Sequence, residues 1–270
     1  MGIYDRLLLN QELIPEWETR IDDVMKCPDN NKIPRVKSAG LIKNGIQFMH
    51  NGIPMTAGGY YGSEIAQMLR HNKGVHEPQE EYVFDKVLNG ISHGAIMVEL
   101  GCYWGFYSIW FLSRIKDSRA ILVEPDPFNL AYGKNNFRLN KLTGDFTLAY
   151  IAGKSTIRAD RTKTISVPDL VAEKHISFID ILHADIQGAE LEMLWSCENL
   201  LRQKAIGYLF ISTHGQEIHQ SCLDYLMRLG YSIVCEADMN DTYSYDGLIV
   251  SKSEVYPGIA SINISKKTQQ

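Results

Sequence analysis

The segment ELGCYWG at residues 99–105 sets an acid, Glu99, just ahead of two glycines, Gly101 and Gly105. Glycines at that spacing let a backbone turn sharply and approach a ligand where a side chain would collide. A tight turn with no ligand needs them equally, so the loop is read by its context. About 20 residues further on, Glu124 ends the next apolar run, where a carboxylate can accept hydrogen bonds from ribose hydroxyls. A nicotinamide dinucleotide is the competing ligand. Its loop has a third glycine for close pyrophosphate approach, and this chain does not match it. Two further residues close apolar runs: Asp185 after 178–185 and His214 after 207–213. A carboxylate and an imidazole in those places can orient a substrate and take a proton near neutral pH.

The elements that must position these residues alternate. From residue 76 onward the pattern predicts a helix from Pro78 to Gly90, then strand 95–100 and helix 106–115. Strand 120–124, helix 127–139 and strand 146–152 follow. Next come strand 178–185, helix 189–201, strand 207–213 and helix 217–229, then strands 231–236 and 247–251. Strands joined by crossover helices imply a mostly parallel sheet covered on both faces. Only the last two strands lack an intervening helix, so an antiparallel hairpin closes the domain. In such sheets ligands bind at the carboxyl ends of the strands. Ahead of this, residues 39–55 read as a β-meander with Asn44-Gly45 and Asn51-Gly52 turns. A glycine-aromatic patch (Gly58, Gly59, Tyr60, Tyr61, Gly62) and a short helix ending near His71 follow. The expected organisation is therefore an N-terminal extension at 1–75, a ligand-binding domain at 76–255 and a tail at 256–270.

Composition narrows the partners. A net charge of −5 without a long basic run argues against nucleic acid held through phosphates. Five scattered cysteines with no C-x-x-C pair suit reduced thiols in a cytoplasmic setting better than disulfides or zinc. Apolar runs are strand-length, the N-terminus carries no secretory pattern, and Arg6 stands where myristoylation needs Ser or Thr. Neither a membrane nor a nucleic acid is expected as partner; the oligomeric state is left open.

ELGCYWGFYS, the EPDP run from Glu124 and above all HADIQGAELEML at 183–194 resemble the FkbM-type methyltransferase family. Its Asp-x-x-Gly-x-Glu segment is matched by Asp185, Gly188 and Glu190, and HEPQEE at 76–81 is similar to runs in members of the group. The resemblance spans 76–251. It implies an α/β fold of class I: a Rossmann-like methyltransferase sheet, mostly parallel with the last strand antiparallel, here with a small N-terminal α+β extension. It implies S-adenosylmethionine as cofactor and O-methylation of a hydroxyl on a sugar, glycan or polyketide-like product. Glu99, Gly101, Cys102, Tyr103 and Gly105 then form the methionine-side loop. Glu124 with Pro125 holds the ribose, Ala152 and Gly153 border the adenine, and Asp185 borders the crevice. The loop also resembles that of catechol-type O-methyltransferases, which bind Mg²⁺ through an Asp after the fourth strand and an Asp-Asn pair after the fifth. Asp185 fills the first place, but Thr213-His214 stands in the second, so a metal is not expected, though not excluded.

Within that resemblance His214 is the expected general base, with a pKa near 6–7, and Asp185 orients it or the substrate. The competing account has His214 capping the next helix or bonding nearby backbone. Glu190 either serves catalysis or stabilises a helix start, and His183 reads as a core histidine. Asp238, Asn240, Asp241, Tyr243, Tyr245 and Asp246 make either a sugar-binding surface or a solvated hairpin. Lys154, Arg158, Arg161 and Lys163 make a basic loop that either meets an acceptor anion or is plain surface. A catalytically silent protein that binds adenosylmethionine or a partner, and an N-methyltransferase, are the alternatives.

Overall fold

The structure is a computed structural model that describes residues 2–157 and 161–269. Helices α1 (Ile3–Leu9) and α2 (Pro15–Lys26) open the chain, and sequence reasoning assigned neither. Pro15 starts α2 with its fixed φ, and Glu16 and Glu18 lie at the positive end of the helix dipole. The expected meander forms from β1 (Ile42–Lys43), β2 (Ile46–Phe48) and β3 (Pro54–Thr56). Asn44 and Gly45 adopt φ 54° and 75° at its first turn. The Asp5 carboxylate accepts from both their amides, at 3.1 and 2.8 Å, which clips α1 to that turn. The second turn is wider than an Asn-Gly pair, because Phe48 pairs with Pro54 and residues 49–53 form the loop. Helix α3 (Gly62–His71) follows.

The main sheet is fed by α4 (Pro78–Leu88), β4 (Ile96–Leu100), α5 (Phe106–Arg114), β5 (Arg119–Glu124), α6 (Pro127–Leu139) and β6 (Asp145–Leu148). An excursion through β7 (Tyr150–Ile151), β8 (Thr156–Ile157), β9 (Lys163–Ile165) and α7 (Val167–Glu173) leads back to β10 (Ile179–Asp185). Helices α8 (Glu190–Ser196) and α9 (Glu198–Arg202), strand β11 (Ile206–Thr213), helix α10 (Gln216–Arg228) and strands β12 (Tyr231–Ala237) and β13 (Gly247–Ser253) complete it. The order is β12-β13-β11-β10-β4-β5-β6, with β13 antiparallel to both neighbours. This is the expected Rossmann-like sheet with its last strand reversed. Chain progression reverses between β4 and β10, the switch point where such sheets open a crevice.

Two of these expectations change locally. The strand expected over 146–152 divides, because Tyr150 and Ile151 leave β6 to pair with β9 in a small sheet ordered β7-β9-β8. The helix expected over 189–201 breaks at Cys197. Of the basic loop, Arg158 lies outside the described residues.

Side chains alternate across the sheet strands. Val98, Leu100, Leu182, Ala184 and Leu209 pack toward Met193 and Leu194 of α8 and Leu226 of α10. Met97, Ile181 and Phe210 pack on the other side with Phe84 of α4 and Trp110 of α5. That second core also takes in Ile21, Val24, Met49, Met55 and Met68, with Ile259, Ile262 and Ile264 against it. Asp29 accepts from Ser265 N and Oγ at 2.8 and 3.0 Å. Packing is therefore continuous across residues 75 and 255. All five cysteines are free and buried.

Candidate active site

The loop after β4 shows why Gly101 is glycine. Its φ is +75°, and a Cβ there would lie 1.8 Å from the carbonyl oxygen of Asp185. Gly105 serves packing: at φ +74° it precedes α5, and a Cβ would meet the Phe137 ring at 3.0 Å. Between them Tyr103 takes φ 40°, a left-handed conformation uncommon for a residue with a side chain. Glu124 holds that conformation, accepting from Tyr103 N at 3.0 Å and from Asp126 N at 2.9 Å. Burial raises its pKa above the usual carboxylate value. Glu99 accepts from Ser108 N in the first turn of α5 at 3.1 Å, and burial pushes its pKa up to about 7.

These tips enclose a cavity of about 540 Å³. Glu99, Gly101, Cys102, Tyr103, Glu124, Pro125, Ala152 and Asp185 line it. Gly105 and Gly153 stand outside the lining, and Gly153 N donates to Glu192 Oε1 at 2.8 Å. Six carboxylates line the cavity (Glu77, Glu99, Glu124, Asp126, Asp185, Glu192), with no Lys or Arg among the described residues. Sequence reasoning missed Tyr60, Tyr61, Glu77 and Tyr107 as wall residues. Glu77 lies in the HEPQEE run. Tyr107 donates to it at 2.8 Å, and burial lifts its pKa to about 7 against the pull of His76. Glu81 of the same run accepts from the amides of His76 and Glu77 at 2.8 and 3.0 Å, holding the start of α4. Glu80 pairs with His183 Nε2 at 2.7 Å. His183 is thus a buried histidine with a partner, although its ring also borders the cavity floor.

Asp185, Gln187, Tyr60 and Tyr61 also line a second, adjoining pocket of about 230 Å³. Its other walls include Trp17 and Arg20 of α2, His214, Tyr245 and Asp246. His214 belongs to this second pocket. Its Nδ1 lies 2.8 Å from Glu190 Oε1, and its Nε2 lies 3.3 Å from both Asp185 Oδ1 and Asp246 Oδ1. Helix capping is not its role: Gly215 takes the N-cap of α10, with no side-chain cap. Glu190, fully buried, also accepts from Gly188 N at 3.0 Å. The Gln187 amide lies 2.8 Å from His214 Nε2 and 3.0 Å from Asp185 Oδ1, and an amide can offer that ring either a donor or an acceptor.

This geometry bears on the titration expected of His214. Burial works against charge on the ring, but hydrogen bonds to Asp185 and Glu190 and the Asp246 charge outweigh it, lifting the pKa to about 10. The surrounding carboxylates thus favour a proton on the ring near pH 7. The pKa of Asp246 is raised as well: burial lifts it to about 6 although the His214 charge opposes this. Among the described residues no group of three His, Cys, Asp or Glu side chains is placed to hold a metal ion, and no helix is long and apolar enough to cross a membrane.

Sheet order and the reversed last strand define the class of fold, the Rossmann-like sheet of class I methyltransferases. More particularly, residues 141–233 match the family model described as Methyltransferase FkbM domain. The match contains the Asp185-x-x-Gly188-x-Glu190 segment and is narrower than the 76–251 span expected, leaving out the 99–105 loop. No curated protein sequence matches the chain. Among solved structures it is similar to a precorrin-6y C5,15-methyltransferase from Geobacter metallireducens (11% identity, 65% of this chain and 89% of that one, TM-score 0.45). A putative rRNA methylase from Clostridium thermocellum shows 12% identity, coverage of 66% and 97%, and a TM-score of 0.46. M. capricolum TrmK, in complex with S-adenosylhomocysteine, shows 15% identity, coverage of 65% and 69%, and a TM-score of 0.43.

Proposed function

We propose that the chain transfers a methyl group from S-adenosylmethionine to a hydroxyl oxygen of a sugar-like or polyketide-like acceptor. The carrying observation is that Asp185 lines both pockets, so one carboxylate stands where cofactor and acceptor would meet. The cavity residues fit the cofactor. The volume falls within the roughly 300–1,000 Å³ of small-molecule sites, and a wall with six acidic side chains and no Lys or Arg among the described residues suits a sulfonium better than a pyrophosphate. When bound, the cofactor supplies an electrophilic methyl group.

The chain's own residues then have three tasks. Glu124, held by two loop amides, offers its remaining lone pairs to ribose hydroxyls. Tyr60 and Tyr61 wall both pockets and exclude water between them. Asp185 takes the proton that the acceptor oxygen loses, worth typically 10²–10⁴ in rate. His214, already protonated, holds Asp185 and Asp246 in place, and Glu190 fixes its Nδ1–H. The roles first expected of His214 and Asp185 are thus exchanged. The test is transfer from cofactor labelled with ¹³C at the methyl, read by NMR on candidate acceptors. A methyl ether carbon supports the reading, and label found only on nitrogen overturns it.

A further inference from the structure

The second pocket contains a cation that this chemistry leaves unused. The Arg20 guanidinium carbon lies 4.7 Å from the Trp17 ring centre and 5.2 Å from that of Tyr245. Two aromatic faces fix the plane of the fork without consuming its N–H donors. Its Nε is buried and has no hydrogen-bond partner. The pocket's carboxylates are engaged elsewhere, since Asp185 and Asp246 each lie 3.3 Å from His214. Glu16 lines the same pocket, yet among the described residues Arg20 forms no ion pair. Arg20 is near enough to Asp246 to lower its pKa against burial, but beyond contact.

A pre-oriented guanidinium with open donors is a receptor for a planar or tetrahedral oxyanion, which it binds through two parallel hydrogen bonds. At about 230 Å³ the pocket is smaller than a drug-sized site and suits a single ring. Aromatic side chains beside carboxylates suit a polyhydroxyl ring, which has both apolar faces and hydroxyl donors. Resting on the methyltransferase reading above, we propose that the acceptor is a single-ring polyhydroxyl compound carrying a carboxylate or phosphate. Arg20 receives that anion between Trp17 and Tyr245 while the reacting hydroxyl meets Asp185. The N-terminal helix α2, outside the family match, thereby selects the substrate.

The test is calorimetry on the full chain saturated with S-adenosylhomocysteine, with glucose, glucuronate and glucose 6-phosphate as probes. At least one anionic probe is expected to bind about tenfold or more tightly than glucose, a charge-assisted pair's worth. Arg20→Gln should bring the probes within about twofold of each other, Arg20→Lys should keep part of the preference, and neither should alter S-adenosylhomocysteine affinity. The tighter of the two anions identifies carboxylate or phosphate. Equal binding of all three probes, binding of none, or a preference that survives Arg20→Gln in a normally melting variant overturns the proposal. Failure of S-adenosylhomocysteine itself to bind would instead count against the cofactor reading, and the probe series on the ligand-free protein would still decide the role of Arg20.

Discussion

Asp185 Oδ1 stands 3.3 Å from His214 Nε2, across the carboxyl ends of the neighbouring parallel strands β10 and β11. The contact sits where the larger cavity adjoins the smaller pocket, and only Asp185 of the two residues faces both. A carboxylate is an acceptor; the His214 ring, within 3.3 Å of three acids, is favoured in its protonated form.

Substitutions should separate the two. Asp185→Asn is expected to lower kcat by about 10²–10⁴ with S-adenosylhomocysteine affinity changed little. His214→Gln keeps a donor toward Glu190 and should cost less than Asp185→Asn. Steady-state kinetics with calorimetry checks this. A larger loss for His214→Gln than for Asp185→Asn would return the base role to the histidine.

The pH dependence follows from the same group. His214 has a folded pKa of about 10 against an ordinary 6.5. Its contribution to stability is therefore complete below about pH 6.5 and is lost as pH rises through 10. His183, lifted to about 9, adds to the loss over part of this window. The difference in Tm between wild type and His214→Gln isolates the first group. It should be widest near pH 6 and shrink steadily toward pH 10. A gap that stays constant would mean that the ring titrates alike in the folded and unfolded chain. In turnover, an acid limb near pH 6 should belong to Asp246, lost in Asp246→Asn and moved to higher pH in His214→Gln, which removes the charge that holds it down.

Two glycines of nearly equal φ make an internal control. Gly94 at +77° has nothing within 4 Å of the place a Cβ would take, whereas at Gly101, φ +75°, a Cβ would lie 1.8 Å from the Asp185 carbonyl oxygen. Gly94→Ala should cost only the left-handed strain, about 1–2 kcal/mol. Gly101→Ala should cost clearly more and weaken S-adenosylhomocysteine binding, because β4 and β10 must part. Thermal melts decide it, and equal losses would contradict the close strand approach.

Much of the sheet was legible because period and punctuation agree. Pro127 and the apolar spacing up to Leu139 mark α6 at the observed bounds, and the mainly apolar runs of β4, β10 and β11 are those of strands buried on both faces. Gly101 and Glu124 were legible as cavity residues through their order along the chain. The titration of His214 was not, since it depends on Glu190 and Asp246, which lie 24 and 32 positions away and meet it only in the fold. Trp17 and Arg20 carried no local motif, and their place in a pocket wall is set by how α2 packs. Gly153 was assigned by its place after a strand, but the chain turns away there into the β7-β9-β8 sheet.

The central claim is that the acid-lined cavity takes S-adenosylmethionine, and titration calorimetry with S-adenosylhomocysteine tests it most directly. Binding is expected at micromolar strength, and Glu124→Ala should weaken it by about 1–3 kcal/mol, through lost ribose bonds and the released amides of Tyr103 and Asp126. NADH, whose pyrophosphate would face a wall with six acidic side chains and no Lys or Arg among the described residues, should give no signal. Tight NADH binding with no response to S-adenosylhomocysteine would contradict the account.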